Sequence, residues 1–284
     1  MLRPSSAGGL TFLFLVSALI MTSALADKPA ERGDDGVTVR EDVVYGRVHG
    51  AGLLADVAYP KSDKSLPAIV SVHGGRWVGG HKKDASTIKV RQWAELGFFA
   101  MSIDYRLVGC TPAPACYQDF RCAVRWVHAH AKQYNVDPKR VFLIGQSAGG
   151  HMVSLAATRG DGPYKRTGGW AEASSDVRAV ISVAANYDLT TLDWGKLWTP
   201  ADGDPVAARK QASPLFFVNA DTTPLLIIHS DDDRSVPVRQ AVAMHDALVK
   251  AGVQTGFRHY TDRGHMGITD QVIAEALKFI EQFE

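Results

Sequence analysis

One pentapeptide has the residues and the surroundings of a serine nucleophile. Ser147 is the centre of Gly145-Gln146-Ser147-Ala148-Gly149, which follows an apolar run ending at Ile144 and precedes a segment with helical spacing. The two glycines allow the sharp turn that exposes a serine hydroxyl, and a helix N-terminus favours developing negative charge. A Gly-rich helix cap is the alternative interpretation, but the flanking strand and helix favour a nucleophile.

A serine hydroxyl is a weak nucleophile without a general base, so an acid and then a histidine are expected later in the chain. His265 fits the base, because it lies in a loop between a predicted strand and the last predicted helix. The acid comes from Asp231-Asp232-Asp233, where the spacing favours Asp233 and Asp231 is the alternative. Three other histidines fall within predicted strands or helices and are interpreted as structural or exposed: His229, His245 and His259.

A glycine-rich loop could supply the amide donors that an acyl-transfer transition state needs. His73-Gly74-Gly75-Arg76-Trp77 follows a predicted strand, in the position where such an oxyanion loop belongs. We predict that the amides of Gly75, Arg76 and Ala148 bind the oxyanion and that His73 braces the loop. Trp77 either packs beneath the loop or lines the substrate pocket, and an ordinary turn is the alternative for the whole loop.

Strands and helices alternate along the chain after a leading hairpin. The predicted strands are 37–48, 53–59, 68–72, 98–105, 141–144, 179–184, 225–229 and 256–260, and the predicted helices are 85–96, 117–134, 148–158, 237–250 and 268–283. This order predicts one α/β domain with a mostly parallel central sheet and helices on both faces. Residues 187–223 break the pattern and are interpreted as a small cap, unless their aromatic side chains only fill the core.

The N-terminus has the features of a cleaved export signal. Arg3 precedes the apolar run from Leu10 to Met21, and small residues end at Ala24-Leu25-Ala26. A membrane anchor is less favoured, because the run is shorter than the about 20 residues that a spanning helix needs. We therefore expect residues 1–26 to be a signal peptide. The mature domain, 27–284, would begin at Asp27 and be secreted or periplasmic without a stable membrane anchor.

The charge of the chain narrows the kinds of partner that we expect to bind it. The net charge is +1 and the basic residues are scattered, which argues against nucleic acid as a partner.

The three cysteines lie close together, and because exported thiols tend to pair, we predict a disulfide between Cys110 and Cys116, with Cys122 as a buried thiol. No Cys-x-x-Cys pair occurs, so a metal site is not expected.

Four motifs in order give the chain a family resemblance. They are His-Gly-Gly-x-Trp at 73–77, Asp-Tyr-Arg-Leu at 104–107, Gly-x-Ser-Ala-Gly-Gly at 145–150 and Asp-x-x-Val-Pro at 233–237. With them the sequence, from about Val37 to its end, resembles the esterase and lipase branch of the α/β-hydrolase superfamily. It is most similar to small bacterial feruloyl and acetyl esterases and to the arylformamidases. The resemblance implies the α/β-hydrolase fold and activity without a metal or organic cofactor.

These observations predict a serine hydrolase whose substrate is a small-molecule or carbohydrate ester. Hydrolysis of an amide or formamide, as in the arylformamidases, is the first alternative, because the same residues serve both leaving groups. The second alternative is a binding protein that has kept the fold and lost the chemistry. The sequence gives no indication of the oligomeric state.

Overall fold

A nine-stranded sheet forms the centre of the computed structural model, which describes residues 31–32, 36–192 and 198–283. The strands are β1 (Glu31–Arg32), β2 (Val37–Val48), β3 (Ala51–Pro60), β4 (Leu66–Val72), β5 (Phe99–Ile103), β6 (Val136–Gln146), β7 (Ala179–Val183), β8 (Leu225–Ser230) and β9 (Thr255–Tyr260). Their spatial order is β1-β2-β3-β5-β4-β6-β7-β8-β9. The first three strands and the β3–β5 pair are antiparallel, and the remaining pairs are parallel. The predicted α/β-hydrolase fold is confirmed.

Both faces of the sheet are covered by helices. The helices are α1 (Val90–Glu95), α2 (Ala115–Ala129), α3 (Ala148–Arg159), α4 (Pro205–Gln211), α5 (Arg239–Lys250) and α6 (Asp270–Ile280). Side chains of α1 and α6 pack in one core, and side chains of α2, α3 and α5 pack in the other. Neighbouring strand residues alternate between the two: Ile69 and Ile144 face the first core, and Val70 and Leu143 face the second. The apolar strands of the sequence are therefore buried on both sides.

Four helices are shorter than their sequence pattern predicts, and one of them, α5, begins two residues late at Arg239. Before α1, residues 82–87 form turns and bends, and the Thr87 hydroxyl lies within hydrogen-bond distance of the carbonyls of Lys82 and Asp84, to which it can donate. After α2, Asn135 has φ of 54°, and the chain reverses into β6 five residues earlier than the apolar run at 141–144 suggests. The helix predicted over 268–283 begins only at Asp270, where the Thr269 side chain caps its first turn.

The segment 187–223 packs against α3. Its described part holds a 3-10 helix (Leu189–Thr191), α4 and a second 3-10 helix (Pro214–Phe217), with no strand in 187–192 or 198–223. Tyr187 and Trp198 are buried, whereas Phe216 is exposed. The segment therefore contributes rings to the core and also carries exposed surface, and its function as a cap stays a prediction.

The predicted disulfide is wrong: Cys110, Cys116 and Cys122 are all free thiols. Cys110 is exposed in a loop, but α2 begins at Ala115 and turns Cys116 into the core, where it is fully buried. Cys122 is a buried thiol, as expected. The predicted signal peptide, residues 1–26, lies outside the described residues. Of the helices that the structure describes, none is both long and apolar enough to cross a bilayer.

Candidate active site

Ser147 lies at the turn between β6 and α3, with φ of 53° and ψ of −117°. This conformation is unfavourable for a residue with a side chain, and strain of this kind concentrates at functional sites. Glycines on both sides allow the turn, because a Cβ on Gly145 would lie 2.5 Å from Gly149 and a Cβ on Gly149 would lie 2.0 Å from the carbonyl oxygen of Val72. The Ser147 amide donates to the carbonyl of Val183 at 2.8 Å, which fixes the turn against β7.

Asp233 and His265 form the hydrogen-bonded pair that the sequence predicted. Nδ1 of His265 lies 2.8 Å from Oδ2 of Asp233, and the other carboxylate oxygen accepts the amides of Ser235 and Val236 at 2.8 and 2.9 Å. Burial alone would raise the pKa of Asp233, but the hydrogen bonds from His265 and Val236 lower it below its ordinary value. A charged Asp233 keeps the proton of His265 on Nδ1, so Nε2 is free to act as a base.

The other two aspartates of the triplet have separate partners. Oδ1 of Asp232 accepts the Gly264 amide at 2.8 Å, which holds the loop that carries His265. Asp231, the alternative acid, pairs instead with Nε2 of His259 at 2.6 Å on the exposed end of β9. The three neighbouring carboxylates thus contact His259, Gly264 and His265 in turn, and Asp233 is the one that binds His265.

A second buried histidine lies against Asp233. Nε2 of His229 is 2.9 Å from the Val236 carbonyl, to which it donates, and 3.4 Å from Oδ2 of Asp233. Burial lowers the pKa of His229, which favours the neutral ring next to the carboxylate. The sequence interpretation of His229 as structural is consistent with this position at the end of β8.

Gln146 joins the nucleophile turn to the histidine loop, and sequence reasoning missed it. Its Nε2 donates to the carbonyl of Met266 at 2.8 Å within the protein interior. The residue before Ser147 is therefore bonded to the residue after His265. Among the described residues, no hydrogen bond joins Ser147 Oγ to His265, and in ligand-free hydrolases this bond is often long until substrate binds.

The predicted oxyanion loop lies directly beside the nucleophile. A Cβ on Gly74 would lie 3.2 Å from the Cβ of Ser147. Gly75 has φ of 100°, and a Cβ there would lie 2.1 Å from the carbonyl oxygen of Gly79, so only glycine fits without a shift. Arg76 continues the left-handed backbone with φ of 54°. Ala148 begins α3, where the first amides have no acceptor within the helix.

His73 braces this loop from below. Its buried ring stacks on Tyr105 at 4.0 Å with an interplanar angle of 12°, and its Nδ1 lies 2.7 Å from the Gly74 carbonyl. The Tyr105 hydroxyl donates toward the carbonyls of His73 and Gly74 at 3.1 and 3.2 Å. Burial lowers the pKa of His73, which favours a neutral ring. The Asp-Tyr-Arg-Leu motif therefore supports the loop through Tyr105.

Trp77 packs inward and does not lie on the surface. It is fully buried, with its ring edge-on to His151 at 5.1 Å and to Trp198 at 5.5 Å. Of the two positions that the sequence left open, the structure thus places Trp77 beneath the loop. His151 was not singled out by sequence reasoning, although its spacing of one helical turn from Ser147 was visible.

The histidine side of the site is open to solvent. Ser147 is 5% exposed and the His265 side chain is 29% exposed. A cleft of about 440 Å³ has His265, Met266 and Gly267 in its lining. A larger cleft of about 1090 Å³ lies between residues 82–92 and the start of α6, and Ser147 is not among the residues that line it. The smaller cleft reaches the site at His265, and Ser147 is not among its lining residues either.

Comparison with known proteins gives one family and several relatives. The BD-FAE family model matches residues 55–248, more than half of the chain. The probable carboxylic ester hydrolase LipM of Mycobacterium tuberculosis is 31% identical over 226 residues, which are 75% of this chain and 52% of LipM. Esterase LipQ of the same organism is 29% identical over 68% of this chain and 48% of LipQ. The chain spans about half the length of these curated relatives.

Solved structures of esterases share the fold over most of the chain. A truncated carbohydrate esterase from gut microbiota has a TM-score of 0.75 at 25% identity and covers 89% of this chain and 99% of its own. Thermogutta terrifontis esterase 2, phosphonylated by sarin, has a TM-score of 0.71 at 25% identity over 85% of this chain and 91% of its own. Phosphonylation by sarin is a reaction typical of an activated serine.

Proposed function

The chain belongs to the BD-FAE family of α/β-hydrolase esterases, and we propose that it is a serine carboxylic ester hydrolase acting through an acyl-enzyme. One observation carries the proposal: the strained Ser147 turn adjoins the Gly74–Gly75 loop and is bonded, through Gln146, to the loop that carries His265. The amide donors, the nucleophile, the acid and the base follow the carboxyl ends of β4, β6, β8 and β9, the edge where parallel α/β sheets bind ligands.

In the first half-reaction, Ser147 Oγ attacks the ester carbonyl carbon while Nε2 of His265 takes its proton. Asp233 holds the imidazole through Nδ1 and stabilises its positive charge without taking the proton. The C–O bond to the alcohol then breaks, and His265 returns the proton to the leaving oxygen. Water attacks the acyl-enzyme in the same way and releases the acid.

The oxyanion of each tetrahedral intermediate is assigned to the amides of Gly75, Arg76 and Ala148. Each such donor lowers the barrier by about 3 kcal/mol when it is correctly placed. The positive φ values of Gly75 and Arg76 turn the loop back beside Ser147, and the N-terminus of α3 adds its dipole. The backbone amides of this loop, and not its side chains, are then the groups that stabilise the oxyanion.

We propose small or carbohydrate-linked esters of the acetyl or feruloyl type as substrates. Support comes from the fold shared with the carbohydrate esterase from gut microbiota and from the resemblance of the motifs to feruloyl and acetyl esterases.

We further propose that the protein is exported and works as a secreted or periplasmic enzyme. The proposal is supported by the pattern of residues 1–26, with an early arginine, an apolar run and a small-residue end. Expression of the full chain with N-terminal sequencing of the product tests it. A new N-terminus near Asp27 in the exported fraction is expected, and an uncleaved chain inside the cell would contradict it.

A substrate panel tests the proposed activity. The mature protein and its Ser147→Ala variant are assayed with p-nitrophenyl acetate, longer acyl esters, methyl ferulate, acetylated xylan and N-formylkynurenine. Turnover of the acetyl or feruloyl esters that disappears in the variant is expected. Preference for the formamide would instead assign the protein to amide hydrolysis, and no turnover by folded wild-type protein would favour a binding protein with this fold.

A further inference from the structure

A buried cluster of three aromatic rings connects the oxyanion loop, helix α3 and the segment 187–223. It consists of Trp77 on the oxyanion loop, His151 on α3 and Trp198 in the segment 187–223. The His151 ring lies edge-on to Trp77 at 5.1 Å and to Trp198 at 5.0 Å, and the two indoles are 5.5 Å apart. The exposed fractions are 0% for Trp77 and His151 and 2% for Trp198, so the contacts are fully desolvated.

His151 is fixed more firmly than ring packing alone would fix it. It lies four residues after Ser147 in the first turn of α3, and its amide donates to the Ser147 carbonyl at 2.8 Å. Nε2 lies 2.6 Å from the Ala212 carbonyl, to which it donates as the neutral tautomer. The His151 ring, which belongs to α3, therefore contacts both the oxyanion loop and the segment 187–223.

Trp77 needs this support because of its backbone. Gly75, Arg76 and Trp77 have φ of 100°, 54° and 62°, three successive residues in the left-handed region. For residues with a side chain this conformation costs free energy and persists only when the surroundings hold it. The indole of Trp77, packed on His151, anchors the end of that run. Two of the three amides assigned to the oxyanion, those of Gly75 and Arg76, lie in the same run immediately before Trp77.

We propose that His151 is a positioning residue for the reaction, acting through Trp77 on the placement of the Gly75 and Arg76 amides relative to Ser147. The inference rests on the proposed esterase function. His151 does not contact the reacting atoms in this arrangement. Because a misplacement of about 1 Å can lower a rate about 100-fold, loss of the ring should lower kcat, whereas KM for a small ester should change little.

Kinetics of four variants test the inference with p-nitrophenyl acetate as the probe. We expect His151→Ala to lower kcat by about 30- to 100-fold with KM within about 3-fold. His151→Gln keeps a donor for the Ala212 carbonyl and should retain more of the rate. Trp77→Phe should also lower kcat, and combining it with His151→Ala should cost clearly less than the product of the two single losses, because both act through one contact.

Phe279→Leu is the matched control. Phe279 is 3% exposed in the core on the opposite face of the sheet, so the variant should lose stability and keep kcat within about 2-fold. Three results would overturn the inference and leave the proposed function intact. They are the same kcat in His151→Ala as in this control, an effect of His151→Ala on KM only, and a double variant with Trp77→Phe whose loss equals the product of the two single losses. If His151→Ala does not fold, His151→Gln and Trp77→Phe decide by the same criteria. An inactive, folded wild-type protein would overturn the proposed function itself and the inference with it.

Discussion

Replacing His151 with glutamine should make the protein less sensitive to acid. Burial lowers the pKa of His151 from 6.5 to about 4, although the hydrogen bond to the Ala212 carbonyl works in the opposite direction. When the pH falls below 6.5, His151 takes up a proton in the unfolded chain. In the folded protein the same ring stays neutral until about pH 4. The free energy of unfolding therefore falls as the pH decreases through this window.

The size of this effect follows from the two pKa values. Between about pH 7 and about pH 4.5, a shift from 6.5 to about 4 removes about 2 kcal/mol of stability. Because the ring is fully buried, solvent screening does not reduce the figure further. In His151→Gln the group that titrates is absent and a donor for Ala212 remains. The loss of stability on acidification should then be smaller than in the wild type by about 2 kcal/mol.

Urea unfolding at the two pH values measures this difference. His49→Gln is the control, because His49 is exposed at the β2–β3 turn, and it should follow the wild type. Apart from His49 and His151, the three proteins carry the same ionisable groups, so a difference seen only in His151→Gln is assigned to position 151. An identical loss on acidification in His151→Gln and the wild type would refute the burial of a neutral ring at this position.

Three further variants test other parts of the account. Gly75→Ala should lower kcat/KM by about 100-fold or more, because its Cβ would lie 2.1 Å from a loop carbonyl; steady-state ester hydrolysis within about 3-fold of wild type would contradict this. Gln146→Leu removes the bond to the Met266 carbonyl and should lower kcat about 10-fold with little change in KM, so unchanged kcat would argue against a link between the two loops. Asp119→Leu removes the carboxylate that Arg106 contacts at 2.7 and 2.8 Å, and because Arg106 is partly exposed, urea unfolding should show a loss of about 1.5–3 kcal/mol; a loss below about 0.5 kcal/mol would contradict it.

Local patterns were sufficient to predict the fold and the central residues of the site. Ser147 could be identified because a strand, a turn and a helix are adjacent in the chain, and the order of the remaining motifs placed Asp233 and His265. The alternation of strands and helices predicted the two-sided sheet in the same way. These features depend on neighbours in sequence, which hydrophobic periodicity and turn residues report directly.

The supports of the site depend on contacts that sequence spacing does not encode. The bond between Gln146 and Met266 joins residues that are 120 positions apart, and Gln146 occupies the variable position of its motif. The ring cluster likewise brings together three distant segments. The disulfide prediction failed for a related reason, because pairing was inferred from proximity in sequence, whereas the start of α2 turns Cys116 into the core and leaves Cys110 outside.

Covalent labelling tests the central claim, that Ser147 is the nucleophile activated by His265 and Asp233. The mature protein is treated with a p-nitrophenyl phosphonate, the release of nitrophenolate is followed, and the adduct is mapped by peptide mass spectrometry. We predict a stoichiometric burst and a single phosphonylated residue, Ser147, with neither burst nor adduct in Ser147→Ala. An adduct on another residue, or ester turnover that survives in Ser147→Ala, would contradict the account.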